Sequence, residues 1–173
     1  MSSVLTASRM IALLLIGSYA GGVAFMVLAP SVGRLPGPAY VRYWQALNVD
    51  YGRAMPPLLL AGIAASLVAS ALSWSRGRLV FGLSAAALIL VILTVALTLA
   101  GLEPVNRIVD GWNPDLLPAG WEESRRRWSN LHLVRTALAL TAFVCLIVAQ
   151  GLDRLPAADP RPAQDGYPLT TRQ

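Results

Sequence analysis

The sequence has no lysine, a single cysteine and a single histidine, and only 13% of its residues are charged. Each shortage excludes something. One cysteine, Cys145, cannot close an internal disulfide, so no disulfide framework holds the chain. Inside an apolar run, its expected role is packing. One histidine, His132, cannot supply both axial ligands of a bis-histidine haem. One histidine and one cysteine cannot build a tetrahedral zinc site without carboxylates. A metal held by His132 with Glu103 or Glu122 is the remaining alternative, and the expectation is no metal and no cofactor. No glycine-rich phosphate loop occurs in a strand-to-helix context. There is no Asn-x-Ser/Thr acceptor and no internal repeat. The scarcity of charge matters most, because soluble domains carry about a quarter charged residues.

Apolar residues take their place, at 55% of the 173 positions. No charge occurs from Met10 to Gly33, from Ala54 to Ser75, or from Leu79 to Leu102. Each run exceeds the roughly 20 residues needed to cross a hydrocarbon layer of about 30 Å. A fourth run, Thr136 to Leu152, is shorter. It reaches spanning length only if its helix begins near Trp128 and takes His132 and Arg135 along. Ser18-Tyr19-Ala20 resembles a signal-peptidase site, but the apolar run continues to Leu28, which suits a retained helix. The expected fold class is therefore all-α, an integral membrane four-helix bundle. Its helices are expected at about 9–29, 55–75, 79–102 and 128–151, within a transmembrane domain spanning 1–152. The proline-rich tail, 153–173, has the composition of a disordered segment.

The formal net charge is +5, carried entirely by arginine, which fits a GC-rich genome. These arginines sit at helix ends and in loops, so their expected partner is the lipid bilayer and not nucleic acid. Ser75-Arg76-Gly77-Arg78 is a short connection whose arginines favour the cytoplasmic side. Both termini would then be cytoplasmic, with two long connections facing outward from what is expected to be a bacterial cell membrane. In the first, Tyr40, Tyr43, Trp44, Leu47 and Tyr51 fall at helical spacing, and Pro38 suits a first helical turn. This predicts a short amphipathic helix in the first outer connection. It would lie at the interface as an anchor, or form a lid with Gln45 and Asn48 turned inward. The second, 103–127, holds Glu103, Asp110, Asp115, Glu122 and Glu123 around a turn-like Gly111-Trp112-Asn113-Pro114. Gly17 and Gly21, and Gly62, Ser66 and Ser70, are spaced for close helix packing in lipid.

The chemistry-bearing feature is a stripe. Trp121, Arg125, Trp128, His132 and Arg135 are spaced four, three, four, three and line one helical face. Leu131, Leu133 and Val134 lie off it. A polar stripe on a membrane helix should face the bundle interior or a wet cavity. Arg135 lies about 10 Å below Trp128, within reach of snorkelling. A histidine snorkels poorly, so the pair together marks a candidate site.

Trp128-x3-His132-x2-Arg135-Thr136 resembles the signature at the head of the last helix in the anthrone oxygenase-like family of small four-helix membrane proteins. Glu103-Pro104-Val105-Asn106 is similar to that family's Pro-x-Asn segment, whose second asparagine stands here as Arg107. Tyr43-Trp44-Gln45-x2-Asn48 with Met55-Pro56-Pro57 resembles its first outer connection. The resemblance covers about residues 10–150. It implies oxidation of an anthrone-like polycyclic phenol to a quinone by dioxygen, without metal. It implies His132 as base and Arg135 as holder of the oxyanion. Trp121, Trp128, and Trp44 or Tyr43 would stack on a small flat aromatic substrate, and Asn106 and Gln45 would orient it. The rival readings are a non-enzymatic membrane subunit or assembly factor, and a small transporter. Against transport, no charge lies deep in the first three helices.

The topology is open to a direct check. In a Cys145→Ala background, a membrane-impermeant thiol reagent should label Ser31→Cys and Ser75→Cys from opposite sides. Equal labelling of both from one side would exclude four spanning helices.

Overall fold

A computed structural model describes residues 3–154 of the chain. Residues 155–173, most of the expected tail, lie outside the described residues. Among the described residues there are five α-helices and no strand: α1 (Ser3–Leu28), α2 (Gly37–Leu72), α3 (Arg78–Leu97), α4 (Glu103–Asp110) and α5 (Trp121–Arg154). Four helical stretches are long and apolar enough to cross a membrane, α3 and α4 counting as one from Arg78 to Asp110. The chain is an integral membrane protein built as a four-helix bundle. α1 packs against α2 and α5, and α3 packs against the same two, so the four close into a ring.

Small residues set how closely the ring closes. A Cβ on Gly17 would stand 2.7 Å from the Phe143 ring of α5, and one on Gly62 would stand 2.7 Å from Ile16 Cδ1 of α1. At both positions a side chain of the neighbouring helix occupies the space, so a larger residue requires that side chain to shift. Gly21 meets nothing within 4 Å and plays no such part. Between these contacts lies an apolar core of Ala12, Ile16, Ala20, Leu59, Ala87, Val91, Ala139, Ala142 and Leu146.

The helices run past the expected boundaries, and the excess builds a second layer. α2 has 36 residues, about 54 Å at 1.5 Å per residue, far more than a bilayer requires. The aromatic segment expected to lie flat at the interface is the first half of this helix. Pro56 and Pro57 remove two backbone donors but do not break the helix. The aromatic face points into protein, not lipid. Tyr40, Val41 and Trp44 bury against Val105 and Val109 of α4, with Trp112, Leu117, Trp121 and Trp128 packed around them. α4 likewise prolongs α3. Pro104 has no N–H to give to the carbonyl four residues back, and the backbone widens into a π turn over Thr98–Leu102. There Glu103 N–H donates to Thr98 O, five residues back.

The opposite end of the bundle is tied by a buried ion pair. Arg9 is 3% exposed, and its Nη1 donates to Asp153 Oδ2 at 2.6 Å. Its Nη2 donates to Ser73 Oγ at 2.8 Å, and Arg76 Nε stands 3.5 Å from Asp153. This places both ends of the described chain at one end of the bundle, beside the α2–α3 connection. Asp153 and Arg154, assigned to the tail from composition, belong to α5 because Asp153 is the counter-charge of Arg9.

Asp153→Asn should lower stability by about 3–5 kcal/mol, because it leaves Arg9 buried without a counter-charge. Arg9→Met with Asp153→Leu should recover most of that loss. Thermal unfolding in detergent reads both, and an unchanged melting temperature for Asp153→Asn would show that the pair carries nothing.

Candidate functional site

α5 enters the bundle from the outer layer with Trp128, His132 and Arg135 on its inner face. His132 is 4% exposed. Its Nε2 lies 3.0 Å from the carbonyl oxygen of Val23 on α1, and Arg135 Nη2 lies 2.7 Å from its Nδ1. A guanidinium can only donate, so Nδ1 carries the lone pair and Nε2 carries the hydrogen given to Val23. The imidazole is therefore neutral, its tautomer set from both sides. The Trp128 ring stacks on it at 4.8 Å between centroids and 6° between planes. Thr136 returns its hydroxyl to His132 O at 2.8 Å, closing the turn on itself.

Asn106 on α4 holds the layer above. Its Oδ1 accepts the indole N–H of Trp128 at 2.9 Å and that of Trp44 at 3.1 Å. Two indole donors converging on one atom identify it as the amide oxygen. Through Asn106 the heads of α2 and α5 are fastened to α4. Gln45 fastens the same helix from its far end, donating to Val109 O at 2.8 Å and Trp112 O at 3.0 Å.

Below this layer lies a cavity of about 550 Å³, within the 300–1,000 Å³ usual for small-molecule sites. All four spanning helices and α4 contribute to its wall. α1 supplies Tyr19, Val23 and Met26, spaced i, i+4, i+7 on one face, and α2 supplies residues from Leu47 to Ile63. The end of α3 supplies Val95, and the π turn after it supplies Thr98 and Leu99. The wall is mostly apolar, and polar groups gather in two places. Glu103, Asn106, Arg107 and Asp110 of α4, with Asn48, form a rim. There Arg107 Nε pairs with Glu103 at 3.0 Å and Asn48 donates to Asp110 at 2.8 Å. Tyr19, His132 and Arg135 form the second group, deeper in the wall.

Arg135 is the unusual member. No carboxylate forms an ion pair with it among the described residues, and its Nε is buried without a hydrogen-bond partner. It is a cation facing an apolar space with a neutral imidazole beside it. No three His, Cys, Asp or Glu side chains converge among the described residues. Both nitrogens of His132 are engaged, which leaves it no lone pair for a metal in this arrangement. Glu122 lies ten residues up α5, about 15 Å away along the axis.

Four of the expected residues, His132, Arg135, Trp128 and Asn106, line the cavity. Three do not. Trp44 is buried in the outer core, where its N–H is held by Asn106. Trp121 packs beside Tyr40 in that same core, 6.4 Å between ring centroids. Gln45 spends its amide donors on the carbonyls of Val109 and Trp112. Tyr43, the alternative to Trp44, directs its hydroxyl at Met26 Sδ. The polar stripe therefore serves two purposes along its length. Trp121 and Arg125 order the outer layer, with Arg125 over the Tyr40 ring and donating to Gly33 O, and the lower three residues face the cavity. Sequence reasoning missed Tyr19, Tyr51 and Thr98. The hydroxyl of Tyr19 in an apolar run was the available signal, and its place in a signal-peptidase-like tripeptide masked it.

Comparison with known proteins adds one result. The family model described as Anthrone oxygenase matches residues 44–145, more than half of the chain. The match takes in Asn106, Trp128, His132 and Arg135 and leaves out α1. No curated protein and no solved structure matches the chain.

The wall makes a thermodynamic prediction. Arg135→Leu should leave the melting temperature unchanged or raise it, because it removes a charge at membrane depth that has no counter-charge. His132→Phe should cost about 1–3 kcal/mol, since it deprives Val23 O and Arg135 of a partner. The double variant should be more stable than the sum of the two. Additivity within about 0.5 kcal/mol would show that the two side chains do not act as a unit.

Proposed function

Because the chain belongs to the anthrone oxygenase family, we propose that its cavity binds a flat polycyclic phenol of the anthrone kind, which dioxygen oxidises there to a quinone without metal or organic cofactor. The observation that carries this reading is Arg135, a half-buried guanidinium whose Nε is buried without a hydrogen-bond partner and which has no carboxylate partner among the described residues, at the wall of an apolar cavity. Such a site is complementary to a flat ligand that gains negative charge on one oxygen during reaction.

The residues divide the work as follows. The substrate carbonyl oxygen points at Arg135, and Trp128 with the apolar wall covers the rings. Arg135 also holds the Nδ1 lone pair of His132, so base and anion site are coupled. A developing oxyanion is a stronger acceptor than imidazole. When it draws the guanidinium, Nδ1 is released to take a proton from the ring carbon opposite the carbonyl. Positioned bases of this kind contribute typically 10²–10⁴-fold. The resulting carbanion, its charge delocalised onto the Arg135-bound oxygen, transfers electrons to dioxygen and a C–O bond forms. His132 returns its proton to the peroxide. The hydroperoxide then loses the second hydrogen of that carbon as a proton while its O–O bond breaks. The carbon becomes a carbonyl, and hydroxide leaves with the proton as water. One oxygen atom enters the quinone and the other enters water. The Nε2 hydrogen bond to Val23 O keeps the ring in place through both transfers. The site lies near the outer face of a bacterial cell membrane, with the termini on the cytoplasmic side, as Arg76 and Arg78 favour.

Oxygen uptake by membranes holding the protein, with a panel of anthrones and hydroquinones, tests the reading. Arg135→Leu should lower uptake by about 10²-fold or more. Arg135→Lys should also fail, since a point charge does not reproduce the planar fork. Wild-type uptake no faster than in control membranes, or full activity of Arg135→Lys, would overturn it.

A further inference from the structure

Tyr19 belongs to α1, outside the segment that matches the family model, and nothing above gives it a role. It is 2% exposed, lines the cavity, and its hydroxyl has no hydrogen-bond partner. Thr98 and Arg135 lie among its polar neighbours without engaging it in a bond of good geometry. An unsatisfied hydroxyl in hydrocarbon is costly, and phenylalanine would remove the cost at the same size. A tyrosine here therefore needs a reason.

Helix geometry supplies one. α1 and α5 run antiparallel and are pinned together where His132 Nε2 meets Val23 O. Tyr19 is one turn deeper than Val23 on α1, about 6 Å along the axis. Arg135 is deeper than His132 on α5 by about 4.5 Å. Counted from the same pin, the two side chains reach nearly the same depth, and both belong to the cavity wall. Two buried donors, Tyr19 Oη–H and Arg135 Nε–H, are thus left without acceptors at nearly the same depth.

We propose that Tyr19 and Arg135 form a two-donor site for a single anionic oxygen of the ligand, so that the phenolate or enolate form is bound in preference to the neutral one. This rests on the oxidation reading for the identity of the ligand but not for the existence of the site. Arg135 supplies the charge. Tyr19 supplies direction, because its single O–H fixes where the oxygen sits and so which ring carbon faces His132. The cost of the unsatisfied hydroxyl is removed when the oxygen arrives.

The test is binding without oxygen. Detergent-solubilised protein is titrated anaerobically with 2-naphthol, whose absorption and emission report its ionisation, and with its methyl ether, which cannot ionise. Wild type should bind naphthol as the naphtholate at a pH where it is neutral in buffer, and more tightly than the ether. Tyr19→Phe should weaken naphthol binding by about ten- to a hundredfold, the worth of one hydrogen bond to a charged group. Ether binding should change by less than about twofold, and Arg135→Leu should show the same selectivity. Equal losses for both ligands would reduce Tyr19 to packing and overturn the proposal, as would no loss in Tyr19→Phe. Equal affinity of wild type for the two ligands overturns it without any variant. Because no oxygen is consumed, a protein that shows this selectivity yet oxidises nothing would refute the oxidation reading and leave the site standing.

Discussion

Inside a bilayer a polar side chain must be satisfied by the protein itself, and the rest of this structure depends on how that constraint is met between α1 and α5. The imidazole of His132 spans the two helices, giving its hydrogen to Val23 O and taking one from Arg135. The bond orients the ring, sets its tautomer and brings the Tyr19–Val23–Met26 face of α1 against the polar face of α5. The cavity follows, because α2 and the end of α3 close the remaining sides of the ring. The pin also ends the apolar core on that side. Beyond it the helices continue past hydrocarbon and pack as a second, aromatic layer.

Two arginines inside the bundle, one buried and one half-buried, show the difference between structure and chemistry. Arg9 and Arg135 both carry charge that hydrocarbon disfavours by about 2.5–3.5 kcal/mol at the bilayer centre. Arg9 is neutralised by Asp153 and further held by Ser73, so its charge is spent within the fold. Arg135 has a neutral ring beside it and a buried Nε without a partner. A protein that needed only stability would place leucine there. The same contrast separates the three tryptophan and glutamine positions of the outer layer from the cavity. Trp44, Trp121 and Gln45 have partners on α2, α4 and α5, and their role is to keep the roof of the cavity rigid. Asn106 stands between the two sets, with its oxygen given to the roof and its remaining surface on the cavity.

The sequence by itself determined the class of the molecule and much of its site. Uncharged runs longer than a bilayer is thick permit only spanning helices, so the bundle was legible without any contact being known. The spacing of Trp128, His132 and Arg135 was legible for the same reason: a helix places such residues on one face whatever surrounds it. Helical period also identified the aromatic face of Tyr40, Trp44 and Tyr51. What period does not encode is what a face meets. Only the tertiary structure decided that this face turns to α4 and α1 instead of the lipid interface, and that Pro56 and Pro57 lie within one long helix. It also decided that Gln45 caps carbonyls and that Tyr19 joins Arg135 at the cavity wall. The prolines apart, each of these depends on partners 60 or more residues away in the chain, or on a helix that the local pattern describes only as apolar. Local backbone geometry is written in neighbouring residues, whereas the pairing of an indole with Asn106 or of an imidazole with Val23 O is settled only when the helices have packed.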